Sequence, residues 1–116
     1  MSTPSDSDSA YHDAADSVLA AIERQADAWL QEGWVDIDTS RTGGLLELEF
    51  PNGSKIVVNK QPPLREIWLA ARTGGYHFKF VGGAWRDTRD GREFFLRLGE
   101  EISVQAGKPL SWPASR

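Results

Sequence analysis

The sequence contains no cysteine and only two histidines among its 116 residues. The lack of cysteine excludes disulfide bonds, thiolate metal sites, a cysteine nucleophile and cysteine-ligated clusters on this chain. The sequence also lacks an apolar run long enough to form a transmembrane helix. The first residues are polar and acidic, which is not typical of a signal or transit peptide. We therefore expect a cytoplasmic protein with no membrane partner.

Motifs of the common enzyme classes are missing as well. There is no glycine-rich phosphate loop before a helix and no serine-centred nucleophile motif. His12 and His77 lie 65 positions apart, and neither has the spacing of a zinc-binding helix motif. We therefore expect no catalytic residues of a known enzyme class.

Charge is distributed unevenly along the chain. Residues 1–49 carry eleven acids and two bases, whereas residues 50–116 carry six acids and eleven bases. An acidic surface repels the phosphate backbone of nucleic acids and attracts cations or basic proteins. The pattern argues against a nucleic-acid partner and favours a cation or a basic protein; the alternative is a charged surface without a partner.

The spacing of apolar residues predicts a helix near each end of the chain and a sheet between them. Steps of three and four residues predict helices over residues 9–31 and 92–105. Two-residue alternation and turn residues predict antiparallel strands over residues 35–38, 45–50, 55–59, 64–71, 76–81 and 84–87. Glycine pairs at 43–44, 74–75 and 82–83 predict turns that are too short for crossover helices.

These elements predict an α+β fold. We expect a two-layer α/β sandwich, with two helices packed on one face of an antiparallel sheet of five to six strands. We assign residues 9–107 to this single domain, residues 1–8 to a disordered leader and residues 108–116 to a C-terminal tail. The sheet face without helices, here called the open face, is available for function.

Acidic residues are predicted to lie together at one side of the domain. Spacings of four and seven place several of them on one solvent face of the first helix, and two others share a face of the first predicted strand. This acidic ridge comprises His12, Asp16, Glu23, Asp27, Asp36 and Asp38. Carboxylate oxygens suit hard cations, so the ridge is a candidate for weak metal binding. The alternative is an ordinary solvated helix face.

Trp68 is the candidate for contact with a partner protein. It alternates with Ile67 and Leu69, so it points to the open face if those two point to the core. Exposed tryptophans often anchor protein interfaces, and Asn59 and Gln61 could supply hydrogen bonds beside it. The alternative is a tryptophan covered by its neighbours. The patterns around Trp29, Trp34 and Trp85 indicate core or core-edge positions, and His77 has no assigned role.

Three segments of the chain resemble the bacterial frataxin family. They are GLLELEFPNGSKIVVNKQPPL at residues 44–64, IWLA at 67–70 and GGYHF at 74–78. The resemblance extends over about residues 9–107, and the fold of this family is two helices on an antiparallel sheet.

The resemblance implies a role in iron–sulfur cluster assembly. By position, it implies weak binding of Fe²⁺ and Fe³⁺ at the acidic ridge. It also implies contact of Asn59, Gln61 and Trp68 with a partner assembly of cysteine desulfurase and scaffold protein. We expect a monomer without metal that regulates cluster formation and is not itself an enzyme. Two alternatives remain open: an iron store, ferroxidase or iron donor that uses the same ridge, and an interaction domain indifferent to metal.

Overall fold

The computed structural model describes residues 4–112, and side chains from residue 8 onward. It contains two α-helices, six strands and one short 3₁₀ turn. In chain order these are α1 (Pro4–Gln31), β1 (Asp38–Thr42), β2 (Leu45–Glu49), β3 (Lys55–Gln61), the 3₁₀ turn (Pro62–Leu64), β4 (Glu66–Ala71), β5 (Gly74–Val81), β6 (Ala84–Asp87) and α2 (Phe94–Ala106). The strands form one antiparallel sheet in sequential order, from β1 at one edge to β6 at the other. The predicted fold class is confirmed.

Both helices cover the same face of this sheet. The core joins the apolar stripe of α1, the inward residues of the strands and the inner side of α2 into one cluster. Its fully buried side chains include Leu19 and Ile22 from α1, Leu46 and Ile67 from the sheet, and Phe94 from α2. Because strand residues alternate between faces, every second residue of the sheet points to the open face.

Helix α1 begins before the predicted boundary. It starts at Pro4, so residues 4–8 of the predicted leader continue the helix, while residues 1–3 lie outside the described part of the chain. Arg65 and Asp8 form an ion pair of 2.7 Å at this end. No helix within residues 4–112 is both long enough and apolar enough to span a membrane.

The first strand is not where the alternating pattern predicted it. Residues 35–37 form a loop in which Ile37 is buried, and β1 runs from Asp38 to Thr42. The two-residue turn at Gly43 and Gly44 joins β1 to β2. It determines where β1 lies in the chain, because it pairs Thr42 with Leu45. The alternation of residues 35–38 thus reflects a loop with one buried side chain.

The C-terminal segment packs against the domain as far as it is described. Leu110 is buried, and Trp112 contacts Trp29 and Phe95 with ring-centroid distances of 5.7 and 4.8 Å. The part of the predicted tail up to residue 112 therefore contributes to the helix side of the core, and residues 113–116 lie outside the described part. Trp34, predicted at a core or core-edge position, is instead 54% exposed.

Candidate functional site

Three residues form a row across the open face. Asn59 on β3 pairs with Trp68 on β4, which pairs with His77 on β5. The indole and imidazole rings stack with centroids 4.3 Å apart and planes 7° apart. Gln61 lies one step along the same face of β3, opposite Glu66 in the register. The predicted partner residues Asn59, Gln61 and Trp68 are therefore neighbours, and Trp68 is half-buried.

Glu66 holds the Trp68 side chain of the stack in place through a hydrogen bond. The indole Nε1–H of Trp68 donates to Glu66 Oε1 over 2.7 Å. His77 Nδ1 lies 3.7 Å from the same oxygen, and Lys79 Nζ lies 3.6 Å from Glu66 Oε2. The Glu66 side chain is only 10% exposed, so Trp68 is held in place by a buried carboxylate. A partner would meet the ring surface and edges of a preorganised tryptophan.

Tyr11 ties helix α1 to the strands that carry this row. Its hydroxyl donates to the backbone oxygen of Glu66 over 2.7 Å and accepts from the backbone N–H of Gln61 over 3.0 Å. Burial raises the pKa of this hydroxyl above its ordinary value, while the Gln61 hydrogen bond opposes that rise. The helix thereby stabilises the end of the open face where Gln61 and Glu66 meet.

The sequence analysis missed His77 and Glu66 as members of this site. The signal for His77 was present, because it alternates with Phe78, which is fully buried in the core. Its position opposite Trp68, however, depends on the register of β4 and β5. That register requires knowledge of the connecting turn.

A partly buried lysine lies beside Asp16 of the acidic ridge. Lys60 Nζ lies 2.8 Å from Asp16 Oδ1, and the lysine side chain is only 12% exposed. Its carbon stem lies against Gly44, where a Cβ atom would come within 3.3 Å of the lysine. Glycine at position 44 therefore gives Lys60 the space to reach helix α1 and neutralise Asp16.

A second ridge carboxylate is also paired with a cation. Arg41 on β1 donates through Nη2 and Nε to the two oxygens of Glu23, over 2.8 and 3.3 Å. This hydrogen bonding raises the pKa of the Arg41 guanidinium. Bidentate pairs of this kind have a defined geometry, so Glu23 faces β1 rather than open solvent.

The other ridge residues are spread over three elements. His12 is half-buried, and its ring lies edge-on to Tyr11. Asp27 is exposed on α1, and Asp36 is exposed in the loop before β1. Asp38 begins β1, so the prediction that Asp36 and Asp38 share a strand face is wrong. Among the described residues, no three histidine, aspartate or glutamate side chains come together as a metal-binding group.

The fold and site define a small sandwich protein with an acidic helix side and an open sheet face centred on a tryptophan. The family model of the frataxin-like domain matches residues 4–108 of this chain. The iron–sulfur cluster assembly protein CyaY of Burkholderia mallei (strain SAVP1) is 53% identical over 108 residues, which cover 93% of this chain and 99% of that relative. The chain therefore belongs to the frataxin-like family.

Solved structures of frataxins have the same fold. Frataxin from Psychromonas ingrahamii superimposes with a TM-score of 0.77 at 35% identity, covering 90% of this chain and 95% of that one. A crystal structure of trimeric frataxin from the yeast Saccharomyces cerevisiae, complexed with ferrous iron, gives a TM-score of 0.65 at 30% identity. That match covers 84% of this chain and 86% of the yeast chain.

Proposed function

We propose that this protein assists or regulates iron–sulfur cluster assembly in the cytoplasm by docking on the complex of cysteine desulfurase and scaffold protein. One observation carries the proposal: a relative named as an iron–sulfur cluster assembly protein matches 93% of this chain and is itself covered over 99% of its length. The match therefore spans nearly all of the given chain and nearly all of that relative.

The two charged and exposed regions supply a mechanism for docking. Exposed carboxylates such as Asp27, Asp36 and Asp38 would attract a basic surface on the desulfurase and accelerate the encounter. Trp68, with Asn59 and Gln61 beside it, would contact the partner assembly as a preorganised anchor. Long-range attraction would therefore bring the partners together, and the tryptophan would supply a short-range contact.

We propose that iron binds weakly at the acidic ridge. The donors are carboxylate oxygens, which suit hard cations, and the yeast frataxin structure contains ferrous iron. Asp16 and Glu23 are already paired with Lys60 and Arg41, so a metal ion must compete with a protein cation at both positions. Iron at the ridge would neutralise the carboxylates used for docking and thereby weaken that contact.

An iron store, ferroxidase or iron donor is the alternative function, and the same ferrous-iron complex of yeast frataxin favours it. It differs from the first proposal in its measurable products. A ferroxidase would consume oxygen on addition of Fe²⁺ above the rate in buffer alone. A regulator would change the rate of cluster formation at iron concentrations that are already saturating.

The deciding experiment measures cluster formation by desulfurase, scaffold, cysteine and Fe²⁺ with increasing amounts of this protein. We expect a dose-dependent change in rate that weakens with added salt, because exposed charges are screened within about 10 Å at 0.1 M salt. The double variant Asp36→Lys/Asp38→Lys should lose most of this effect while keeping the fold.

The control reverses a single charge elsewhere. Glu100 lies on α2, away from the acidic ridge, and is half exposed in its ion pair with Arg92. Glu100→Lys should keep the effect on cluster formation. No change in rate at any dose of the wild-type protein would contradict the proposed function.

A further inference from the structure

Basic side chains lie on strand β5 and beside it, next to the Trp68–His77 stack: Lys79 and Arg86 are on the open face, and Arg89 is at the adjoining edge of the sheet. Lys79 lies on β5 two residues after His77, on the same face. Arg86 on β6 is its direct register partner. Arg89 follows β6, donates to the backbone oxygen of Gly75 over 3.2 Å and shares a cleft with His77. We call Lys79, Arg86 and Arg89 the β5 cationic strip.

The charges in this region are layered by depth. The side chains of Lys79 and Arg89 are 50% and 70% exposed, whereas their nearest carboxylates on Glu66 and Asp87 are 10% and 2% exposed. Asp87 pairs with the buried Phe78 in the register, so it lies on the helix side of β6, where it accepts the backbone N–H of Arg89 over 2.7 Å. A molecule approaching the open face at β5 therefore meets the amine of Lys79 before the carboxylate of Glu66.

Lys79 and Arg86 have the same charge and lie directly opposite each other. Like charges in direct cross-strand register destabilise a sheet. Within the described residues Arg86 makes no ion pair; its guanidinium donates only to the backbone oxygen of Gly91, over 3.4 Å. Lys79 Nζ is drawn towards the β4 side by the backbone oxygen of Leu64, over 2.8 Å, and by Glu66, so Arg86 is the member of the pair that can accept an external carboxylate.

The opposite end of the open face carries the other sign. Asp38 and Glu49 face each other at the β1–β2 end, and Glu47 nearby is paired with Lys55 over 3.4 Å. The open face is thus acidic at β1 and β2, aromatic in the centre and cationic at β5 and β6. Such a gradient fixes the orientation of a partner as well as its position.

We propose that the β5 cationic strip docks an acidic segment of a partner protein beside the Trp68–His77 stack. This inference rests on the proposed function and adds a second contact of opposite sign to the one at the acidic ridge. The acidic ridge would attract a basic surface of the partner, and the β5 cationic strip would attract an acidic surface. Trp68 lies between these two contacts. A protein fits this face better than a nucleic acid, because the acidic β1–β2 end would repel a continuous phosphate backbone.

The test measures the affinity of the full chain for the purified desulfurase–scaffold assembly. We expect Lys79→Glu/Arg86→Glu to weaken binding about tenfold and to flatten its dependence on salt. The control Arg72→Glu/Lys108→Glu changes the net charge equally at two exposed sites outside the strip, and it should remain within about twofold of wild type.

A zero-length carbodiimide cross-link supplies an independent readout, because it joins a lysine amine to a carboxylate in contact with it. We expect Lys79 to cross-link to an aspartate or glutamate of the assembly, and Lys108 to form no such link. Full binding by Lys79→Glu/Arg86→Glu, together with loss of binding by Asp36→Lys/Asp38→Lys, would overturn the strip proposal and leave the proposed function standing.

Two further outcomes would overturn the strip proposal. If the wild-type chain does not bind the assembly at all, the proposed function fails and the strip proposal fails with it. If a single-stranded RNA oligonucleotide displaces the assembly from the wild-type protein but not from Lys79→Glu/Arg86→Glu, the strip is a nucleic-acid site and the acidic-protein proposal is overturned.

Discussion

Trp68 and His77 stack face to face across β4 and β5, with ring planes only 7° apart. The indole ring stays partly exposed in this stack, and its N–H donates a hydrogen bond to Glu66. A partner therefore cannot use the indole as a hydrogen-bond donor without breaking an internal contact. In the proposed docking, recognition through Trp68 would therefore rest on the ring surface and on displaced water.

The first prediction follows from this role. Trp68→Ala should weaken binding to the desulfurase–scaffold assembly by about thirtyfold, the loss typical of a buried interface anchor. Titration calorimetry measures this loss, and circular dichroism should show an intact fold because the side chain lies on the open face. Val104→Ala on α2, where the valine is 54% exposed, serves as the control and should bind normally. Equal affinity of the two variants would remove Trp68 from the interface.

The register that creates the stack could not be predicted from the glycine pattern. Gly74 and Gly75 resemble a turn, and a turn there would place Trp68 opposite Val81. In the structure the turn is Arg72 and Thr73, so Ala71 pairs with Gly74 and Trp68 pairs with His77. The prediction identified the correct face, because alternation about the buried Ile67 and Leu69 is independent of register.

The ion pairs of the acidic ridge could not be predicted from the sequence either. Helical spacing correctly placed Asp16 and Glu23 on α1, away from its buried stripe. Their partners Lys60 and Arg41 come from β3 and β1, at separations of 44 and 18 residues. Such contacts depend on how the helix packs on the sheet, and no local pattern reports that. The hairpin at Asn52 and Gly53, in contrast, is a local signal and was found between β2 and β3.

The second prediction concerns Gln105, a buried glutamine at the end of α2. Its amide donates to Ser54 Oγ and to the backbone oxygen of Lys55, and it accepts the backbone N–H of Arg72 over 2.9 Å. It therefore joins α2 to two turns of the sheet. Gln105→Ala would leave buried backbone groups without partners and should lower the free energy of unfolding by roughly 2–4 kcal/mol.

Urea denaturation of Gln105→Ala measures this loss. Gln105→Glu is the matched control, because a carboxylate can still accept from Arg72 but cannot donate to Lys55. At neutral pH we expect it to be at least as destabilised as the alanine variant, because its carboxylate would be buried against the backbone oxygen of Lys55. A loss below about 0.5 kcal/mol for Gln105→Ala would show that water replaces these contacts.

The third prediction is a pH dependence that originates in Tyr11. Burial raises the pKa of its hydroxyl in the folded protein, whereas in the unfolded chain it titrates at about 10. The folded state therefore holds the proton more tightly, so the contribution of Tyr11 to stability is complete below pH 10 and is lost as the pH rises above it. The tyrosinate also cannot donate to the backbone oxygen of Glu66.

Urea midpoints at pH 8.5 and pH 11 test this sign for wild type and Tyr11→Phe. The phenylalanine variant should be less stable at pH 8.5 by roughly 1–3 kcal/mol, because the backbone groups of Glu66 and Gln61 lose a buried partner. Its further loss between the two pH values should be smaller than that of wild type. An identical pH dependence in both proteins would assign the alkaline loss to other groups.

The last prediction tests whether Arg41 limits metal binding at the acidic ridge. Arg41 occupies both oxygens of Glu23, and a divalent cation can use that carboxylate only by displacing the guanidinium. Arg41→Gln should therefore raise the affinity for Mn²⁺ by about fivefold, because it removes a competing positive charge and frees an oxygen donor. Stability should change little, since exposed ion pairs contribute roughly 0–1 kcal/mol. Paramagnetic broadening of amide signals in α1 measures the binding.

Arg24→Gln removes the same charge from an exposed position on that helix without freeing a paired carboxylate, so it should give a smaller gain. Equal gains in the two variants would mean that metal responds only to net charge, and that the pairing of Arg41 with Glu23 has no specific part in controlling the ridge.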